Sequence, residues 1–188
     1  MLKKTILRSV VVILIVSLSI GIGMITENFF DGIDRQNHPK KYSSFVEKYA
    51  AAYGVPEYII YAVIKNESGF DSSVTAGDGA VGLMQIMPST FELISELLGE
   101  DYEFGMLYDP ETNIKYGTYY LSYLYGIYAR WPTVYAAYNT GIPTVDSWLE
   151  DSRYSSDGMS LDMIPYEETA LYVETMTETV ELYAKLYY

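Results

Sequence analysis

The second part of this chain is punctuated by glycine and proline, and that punctuation restricts its fold more than any other feature. From Lys41 onward, segments of helical apolar period follow one another, most of them stopped at a glycine or opened at a proline. "YSSFVEKYAAAYG" places Phe45, Tyr49 and Ala52 on one stripe and stops at Gly54. Pro56 opens the next helix, where its missing N–H costs nothing, and Gly69 ends it just after Glu67. Residues 68–85 are rich in Gly, Ser and Asp and lack a helical period, which predicts a loop with room for a small hairpin. "PSTFELISELLG" is amphipathic through Phe91, Ile94, Leu97 and Leu98 and stops at Gly99. A long helix is expected from Glu111 to Ala129, a shorter one from Pro132 to near Asn139, and a final one from Pro165 almost to the end. No strand-length alternation competes with this pattern, and there is no internal repeat. The expectation is a mainly α, single helical domain over residues 41–188.

The start of the chain has a different character. Lys3, Lys4 and Arg8 precede an uninterrupted apolar run from Val10 to Ile25, and Glu27, Asp31 and Asp34 follow it. A basic, apolar, acidic order directs the start of the chain to the cytoplasm. The run is short for a spanning helix, which needs about 20 residues, and its end offers only a weak small-residue cleavage pattern. Residues 1–25 are therefore expected to be a cytoplasmic start and an uncleaved signal-anchor, a transmembrane helix that makes the membrane a partner. Residues 26–40 are expected to be a polar linker. The expected location is the cell membrane, single-pass, with the domain outside the cytoplasm; the alternative is secretion after signal cleavage.

Composition removes several function classes. The chain has no cysteine, so it holds neither a disulfide framework nor a thiolate nucleophile. Its one histidine, His38, lies in a polar stretch before the first strong helix, which argues against a histidine triad or a histidine metal site. Twelve basic residues against 25 acidic ones give a formal charge of −13, which disfavours a phosphate backbone, so nucleic acid is not an expected partner.

Glu67 departs from the helical pattern in an informative way. The stripe Ile60, Val63, Ile64 reaches position 67 next, where a core residue is due and a carboxylate stands. A glutamate at a helix end ordinarily swings to solvent. Here the stripe points it inward, and Ser68-Gly69 turns the chain immediately afterwards, as at a cleft wall. Burial disfavours the charged form of a carboxyl and raises its pKa, which suits a general acid at neutral pH.

The residues around Glu67 carry a resemblance. "ESGFDSSVTAGDGAVGLMQIMPST" resembles the catalytic segment of lytic transglycosylases of the soluble-transglycosylase (SLT) type, relatives of goose-type lysozyme, through Glu67, Ser68, Gly82, Leu83, Met84, Gln85, Ile86 and Pro88. "DPETNIKYGTYYLSYL" is similar to the family's Asn-Ile-x-x-Gly-x-x-Tyr-Leu helix, "AAYNTG" to its Ala-Tyr-Asn-Ala-Gly turn, and "IPYEETALYV" to its Ile-Pro-x-x-Glu-Thr-x-x-Tyr-Val segment. These blocks stand in the family's order and cover most of residues 53–175. The resemblance implies a lysozyme-like fold and cleavage, without water, of the β-1,4 bond between N-acetylmuramic acid and N-acetylglucosamine in peptidoglycan. A 1,6-anhydromuramoyl end is left, and no metal or cofactor is implied. Glu67 would be the single catalytic residue, first acid and then base, with the substrate's N-acetyl group and C6 hydroxyl replacing the second carboxylate of an ordinary glycosidase.

The resemblance also implies substrate contacts at Ser68, Gln85, Met87, Tyr138, Asn139 and Tyr172. For Gln85 the competing role is an amide that ties down the loop backbone, and for Met84 simple core filling. Tyr138 and Asn139, before Gly141, suit both a helix-end turn and a cleft wall. Among the 21 tyrosines, most recur at helical spacing, such as Tyr116, Tyr119, Tyr120 and Tyr123, and are expected in the core and at its boundary. Two positions depart from the family pattern: Ala76, where many members carry a serine that Ser73 or Thr75 would have to replace, and Ala170, often an arginine. Asp78 belongs to a rival mechanism, hydrolysis by an activated water, although an aspartate between two glycines is more often solvated and turn-forming. A glycan-binding scaffold in cell-envelope machinery is the remaining alternative, and a buried acid at Glu67 weighs against it.

Overall fold

The computed structural model describes residues 17–23, 26, 29–101 and 103–188, which fall into two compact units, one ending at Pro39 and one spanning Lys40–Tyr188. In the first unit, residues 17–23 and 29–37 are helical. Much of the apolar run, residues 10–16, 24 and 25, lies outside the described residues. Among those described, no helix is long and apolar enough to cross a membrane. Within the expected polar linker, residues 29–37 are helical. The end of this helix is closed locally: the His38 backbone N–H donates to the Asp34 carbonyl at 2.8 Å, the ring Nδ1 lies 3.0 Å from the same oxygen, and Pro39 cannot continue the turn.

The second unit is built from seven α-helices: α1 Ser43–Tyr53, α2 Glu57–Ser68, α3 Pro88–Leu98, α4 Pro110–Tyr128, α5 Trp131–Thr140, α6 Ile142–Leu149 and α7 Glu167–Tyr187. A 3-10 turn, Phe104–Tyr108, precedes α4. The expected starts and stops hold to within two residues from α2 onward. Local chemistry explains the agreement at α4, where Pro110 occupies the first turn and Asp109 Oδ2 accepts from both the backbone N–H and the hydroxyl of Thr112.

Helix α2 is the centre of the fold because it is apolar on every side. Ile59, Ile60, Tyr61, Ala62, Val63 and Ile64 are all buried. It packs on α7, which also covers α5, while α4 holds α1 and α5 against the same core. Tyrosines fill much of this core: Tyr61 stacks on Tyr183 at 5.6 Å, and Tyr116 stacks on Phe91 at 5.4 Å. Tyr116 and Tyr120 are buried and Tyr119 and Tyr123 half-buried, as their spacing predicts.

Three details differ from the sequence expectation. Helix α1 buries Val46, Tyr49 and Ala50 and leaves Ala52 exposed, so its inner face is rotated by about one position from the Phe45/Ala52 stripe. The loop before α3 carries only isolated antiparallel bridges, Thr75 with Val81 and Val81 with Ile86, and there is no strand among the described residues. Helix α6 is not legible as a helix in the sequence, because Gly141 and Pro143 look like loop punctuation. Pro143 instead sits in its first turn, and Val145 and Trp148, three apart, anchor it in the core.

Candidate active site

Glu67 sits in the last turn of α2, where the core-facing stripe of that helix runs out into a cavity. The next two residues fix it there. Ser68 ends the helix with its hydroxyl between the Ile64 and Leu83 carbonyl oxygens, at 3.1 and 2.7 Å, which ties the helix to the following loop. Gly69, at φ 59, then turns the chain in the left-handed region. Ser68 does not line the cavity; the geometry gives it a positioning part behind the wall.

The opposite wall is the loop that leads into α3. Its backbone is gripped at Met84 from two sides: the Met84 N–H donates to Asn113 Oδ1 at 2.7 Å, and the Tyr138 hydroxyl donates to the Met84 carbonyl at 2.7 Å. Asn113 is wholly buried and also donates from Nδ2 to the carbonyls of Val81 and Leu107. Gln85 follows at φ 48, a left-handed conformation, and its Nε2 donates to the Gly82 and Val74 carbonyls at 2.8 and 3.3 Å. The loop-tying role of the Gln85 amide is thus real. Its Oε1 makes no hydrogen bond among the described residues, and the residue lines the cavity.

The cavity, about 140 Å³, brings together Glu67, Gln85, Met87, Tyr138 and Asn139. Ala76 lines it too, so a methyl group occupies the position of the family's frequent serine. The hydroxyls that would have to replace it are engaged elsewhere, Ser73 with Asp71 and Thr75 with Tyr108. Tyr172 reaches Glu67 from α7, its hydroxyl 2.5 Å from Oε1. Met84 is buried core, packed where a Cβ on Gly117 would meet its sulfur at 2.4 Å.

Electrostatics single out Glu67. Burial pushes its carboxyl up to about 7, the negative charge of Asp78 adds to the rise, and the Tyr172 hydrogen bond opposes it. Burial and the neighbouring Glu67 carboxyl hold the phenols of Tyr138 and Tyr172 well above their ordinary range, so Tyr172 remains a donor. Asp78 shares the cavity but is exposed, and its Oδ1 accepts from the Ala80 N–H at 3.2 Å, the local turn its flanking glycines predict. Among the described residues no group of His, Cys, Asp and Glu could hold a metal ion. Asn113 heads the Asn-Ile-x-x-Gly block of the resemblance, yet sequence reasoning gave it no part in the site; a polar residue between the core positions of an apolar helix face was a second signal.

Comparison with known proteins identifies the family and the fold. The chain is 34% identical over 146 residues to the soluble lytic murein transglycosylase of Escherichia coli, covering 75% of this chain and 22% of that protein. It is 33% identical over 144 residues to membrane-bound lytic murein transglycosylase C of Yersinia pestis, covering 71% of this chain and 40% of the relative. The chain thus spans well under half of the length of these relatives. The crystal structure of the 70-kDa soluble lytic transglycosylase from Escherichia coli superposes with a TM-score of 0.72 at 30% identity, over 81% of this chain and 25% of that one. An inactive Glu-to-Gln variant of the lytic transglycosylase Slt from Pseudomonas aeruginosa superposes with a TM-score of 0.69 at 28% identity, over 79% of this chain and 24% of that one. The expected mainly helical, lysozyme-like architecture is therefore the one found. The transglycosylase SLT domain family matches residues 44–158, more than half of the sequence, and the chain belongs to that family.

Proposed function

We propose that this protein is a peptidoglycan lytic transglycosylase that cleaves the β-1,4 bond between N-acetylmuramic acid and N-acetylglucosamine, with Glu67 as sole acid and base. The observation that carries this reading is a half-buried glutamate whose carboxyl is raised to about 7, in a cavity whose other carboxylate is exposed and turn-bound. A carboxyl of that kind is partly protonated at neutral pH and can protonate the glycosidic oxygen as the bond to the anomeric carbon breaks. The substrate's acetamido oxygen supports the developing positive charge. Glu67, now a carboxylate, takes the proton from the muramoyl C6 hydroxyl as that oxygen bonds to the anomeric carbon. The proton count closes, and the enzyme returns to its starting form without water. A single glutamate-to-glutamine change accompanies loss of activity in the Pseudomonas aeruginosa relative, which fits a site with one essential acid. The free Gln85 Oε1, the Asn139 amide and the Met87 side chain are the groups assigned to hold the sugar. Tyr138 and Tyr172 hold the loop and the acid.

The product decides the mechanism. Muropeptides released from purified peptidoglycan should be lighter by one water than those from a lysozyme digest, as read by mass spectrometry. Asp78 gives a hydrolase reading its one foothold, because it lines the same cavity. Reducing-end products of full mass would transfer the assignment to water activation by that residue.

Tyr172→Phe removes the contact that opposes the rise in the Glu67 pKa. Because the acid must be protonated to start the reaction, kcat/KM should fall as pH rises through about 7. In the Phe variant this limb should move to higher pH while turnover drops severalfold. An unchanged pH profile would remove Tyr172 from the site.

We infer that residues 1–25 anchor the protein in the cell membrane with the domain outside. The basic start, the apolar run and the acidic flank support this, and one relative is named as membrane-bound. Full-length protein should fractionate with membranes at unchanged mass. A soluble product shorter by about 25 residues would assign a cleaved signal instead.

A further inference from the structure

The catalytic cavity continues past Asp78 and Asn139. These two residues also line a second, larger space of about 560 Å³, whose far wall is the start of α7 at Pro165, Tyr166, Glu167, Glu168 and Thr169. Asp78, Glu167 and Glu168 contribute three carboxylates, and neither cavity has a lysine or arginine in its lining. The N-terminus of α7 offers roughly half a positive charge. Three carboxylates outweigh it, so the space is a negative pocket continuous with the site of cleavage.

A second observation points to a ligand. Thr169 lines this space and is 3% exposed, yet its hydroxyl makes no hydrogen bond inside the protein among the described residues. Buried hydroxyls are ordinarily partnered, so one left free at a cavity wall is an acceptor held ready for something that enters. Tyr166 is 56% exposed beside it, with its ring fixed edge-on to Trp148 at 5.0 Å, and presents an aromatic surface suited to a cation.

We propose, on the basis of the transglycosylase reading above, that this space is a subsite for a primary ammonium group carried by peptidoglycan close to the bond being cut. An ammonium offers three donors and no acceptor, which complements carboxylates and a hydroxyl oxygen. Two parts of a peptidoglycan strand carry such a group: a glucosamine that has lost its acetyl group, and the free side-chain amine of a diamino acid in a stem peptide. The formal charge of −13 on the chain favours strands that bear it over anionic ones.

The test compares initial rates of the full-length protein on peptidoglycan with free amines and on the same material after acetylation by acetic anhydride. Acetylation should raise KM about tenfold and leave kcat within about twofold, since it removes binding and not chemistry. Added salt should shrink the difference. The Glu167→Gln, Glu168→Gln double variant should bring the ratio of the two KM values close to one, and Thr169→Val should reduce it in part. Equal KM values for both substrates in the wild-type protein would overturn the proposal, and that comparison needs no variant to fold. Absence of anhydro products from both substrates would instead overturn the transglycosylase reading. Peptide-free glycan strands, with and without removal of acetyl groups, separate the two sources: a preference on these strands assigns the sugar amine, and a preference confined to intact material assigns the stem peptide.

Discussion

Replacing Glu67 with glutamine is expected to lower peptidoglycan cleavage by at least a hundredfold, and up to about ten-thousandfold, the range of lost acid-base catalysis. Glutamine keeps the size of the side chain and can still accept from the Tyr172 hydroxyl, now 2.5 Å from Oε1, but it can neither release nor take up the proton. The variant should at the same time become more stable, with a pH dependence set by burial. The carboxyl's folded value of about 7 lies above its ordinary value of 4.5, so the folded state binds the proton more tightly than the unfolded chain. Stability from this group is therefore fully present below pH 4.5 and is lost as pH rises through about 7. The full loss amounts to roughly 3 kcal/mol. Glu67→Gln never ionises and should escape it, so its unfolding midpoint in urea should exceed that of the wild type at pH 8 and match it near pH 4. Equal midpoints at pH 8 would mean that the carboxylate is well solvated, and the argument for a raised acid would fail with it.

This linkage also explains how much could be read from the chain in advance. The inward position of Glu67 was legible because it follows from one helix period, Ile60, Val63, Ile64 and then 67, which depends only on residues close in sequence. Helix limits were legible for the same reason: Asp109-Pro110 and Gly99 act within a turn of themselves. Contacts between distant segments were not. The Asn113 amide bonds residues 6, 29 and 32 positions away, and nothing local in "NIKYG" says which backbone groups it will meet. Gln85 was ambiguous between loop and substrate because an amide has two ends; its nitrogen went to the loop and its oxygen remained for the cavity. Ser68 looked like a substrate contact beside the acid, but a hydroxyl in the last turn of a helix finds the carbonyl four residues back, and here also the Leu83 carbonyl. Helix α6 was hidden because glycine followed by proline marks a loop and a helix start equally well.

The second large effect is expected away from the chemistry, at Asn113→Ala. The substitution leaves the Met84 N–H and the Leu107 carbonyl without their partner in a fully buried place, while the Val81 carbonyl keeps the Ile86 N–H at 3.0 Å. Each unsatisfied buried group costs about 1–3 kcal/mol. With some relaxation of the loop, a loss of about 3–5 kcal/mol is expected, a large part of the roughly 5–15 kcal/mol that holds a domain together. Gly82→Ala attacks the same contact from the other side. A Cβ there would lie 2.1 Å from Asn113 Nδ2 and 2.5 Å from the Leu107 carbonyl oxygen, on a residue at φ +79 that side chains rarely adopt. Since both substitutions break one contact, the double variant should lose less than the sum of the two by about 1–2 kcal/mol. Urea unfolding of the four proteins measures this. A stability for Asn113→Ala within about 1 kcal/mol of wild type would mean that the Tyr138 hydroxyl bond to Met84 suffices to hold the loop. The sign of the stability change then separates the two ways of losing activity: Asn113→Ala loses it by loosening the loop that forms the cavity wall, and Glu67→Gln loses it while the domain grows more stable.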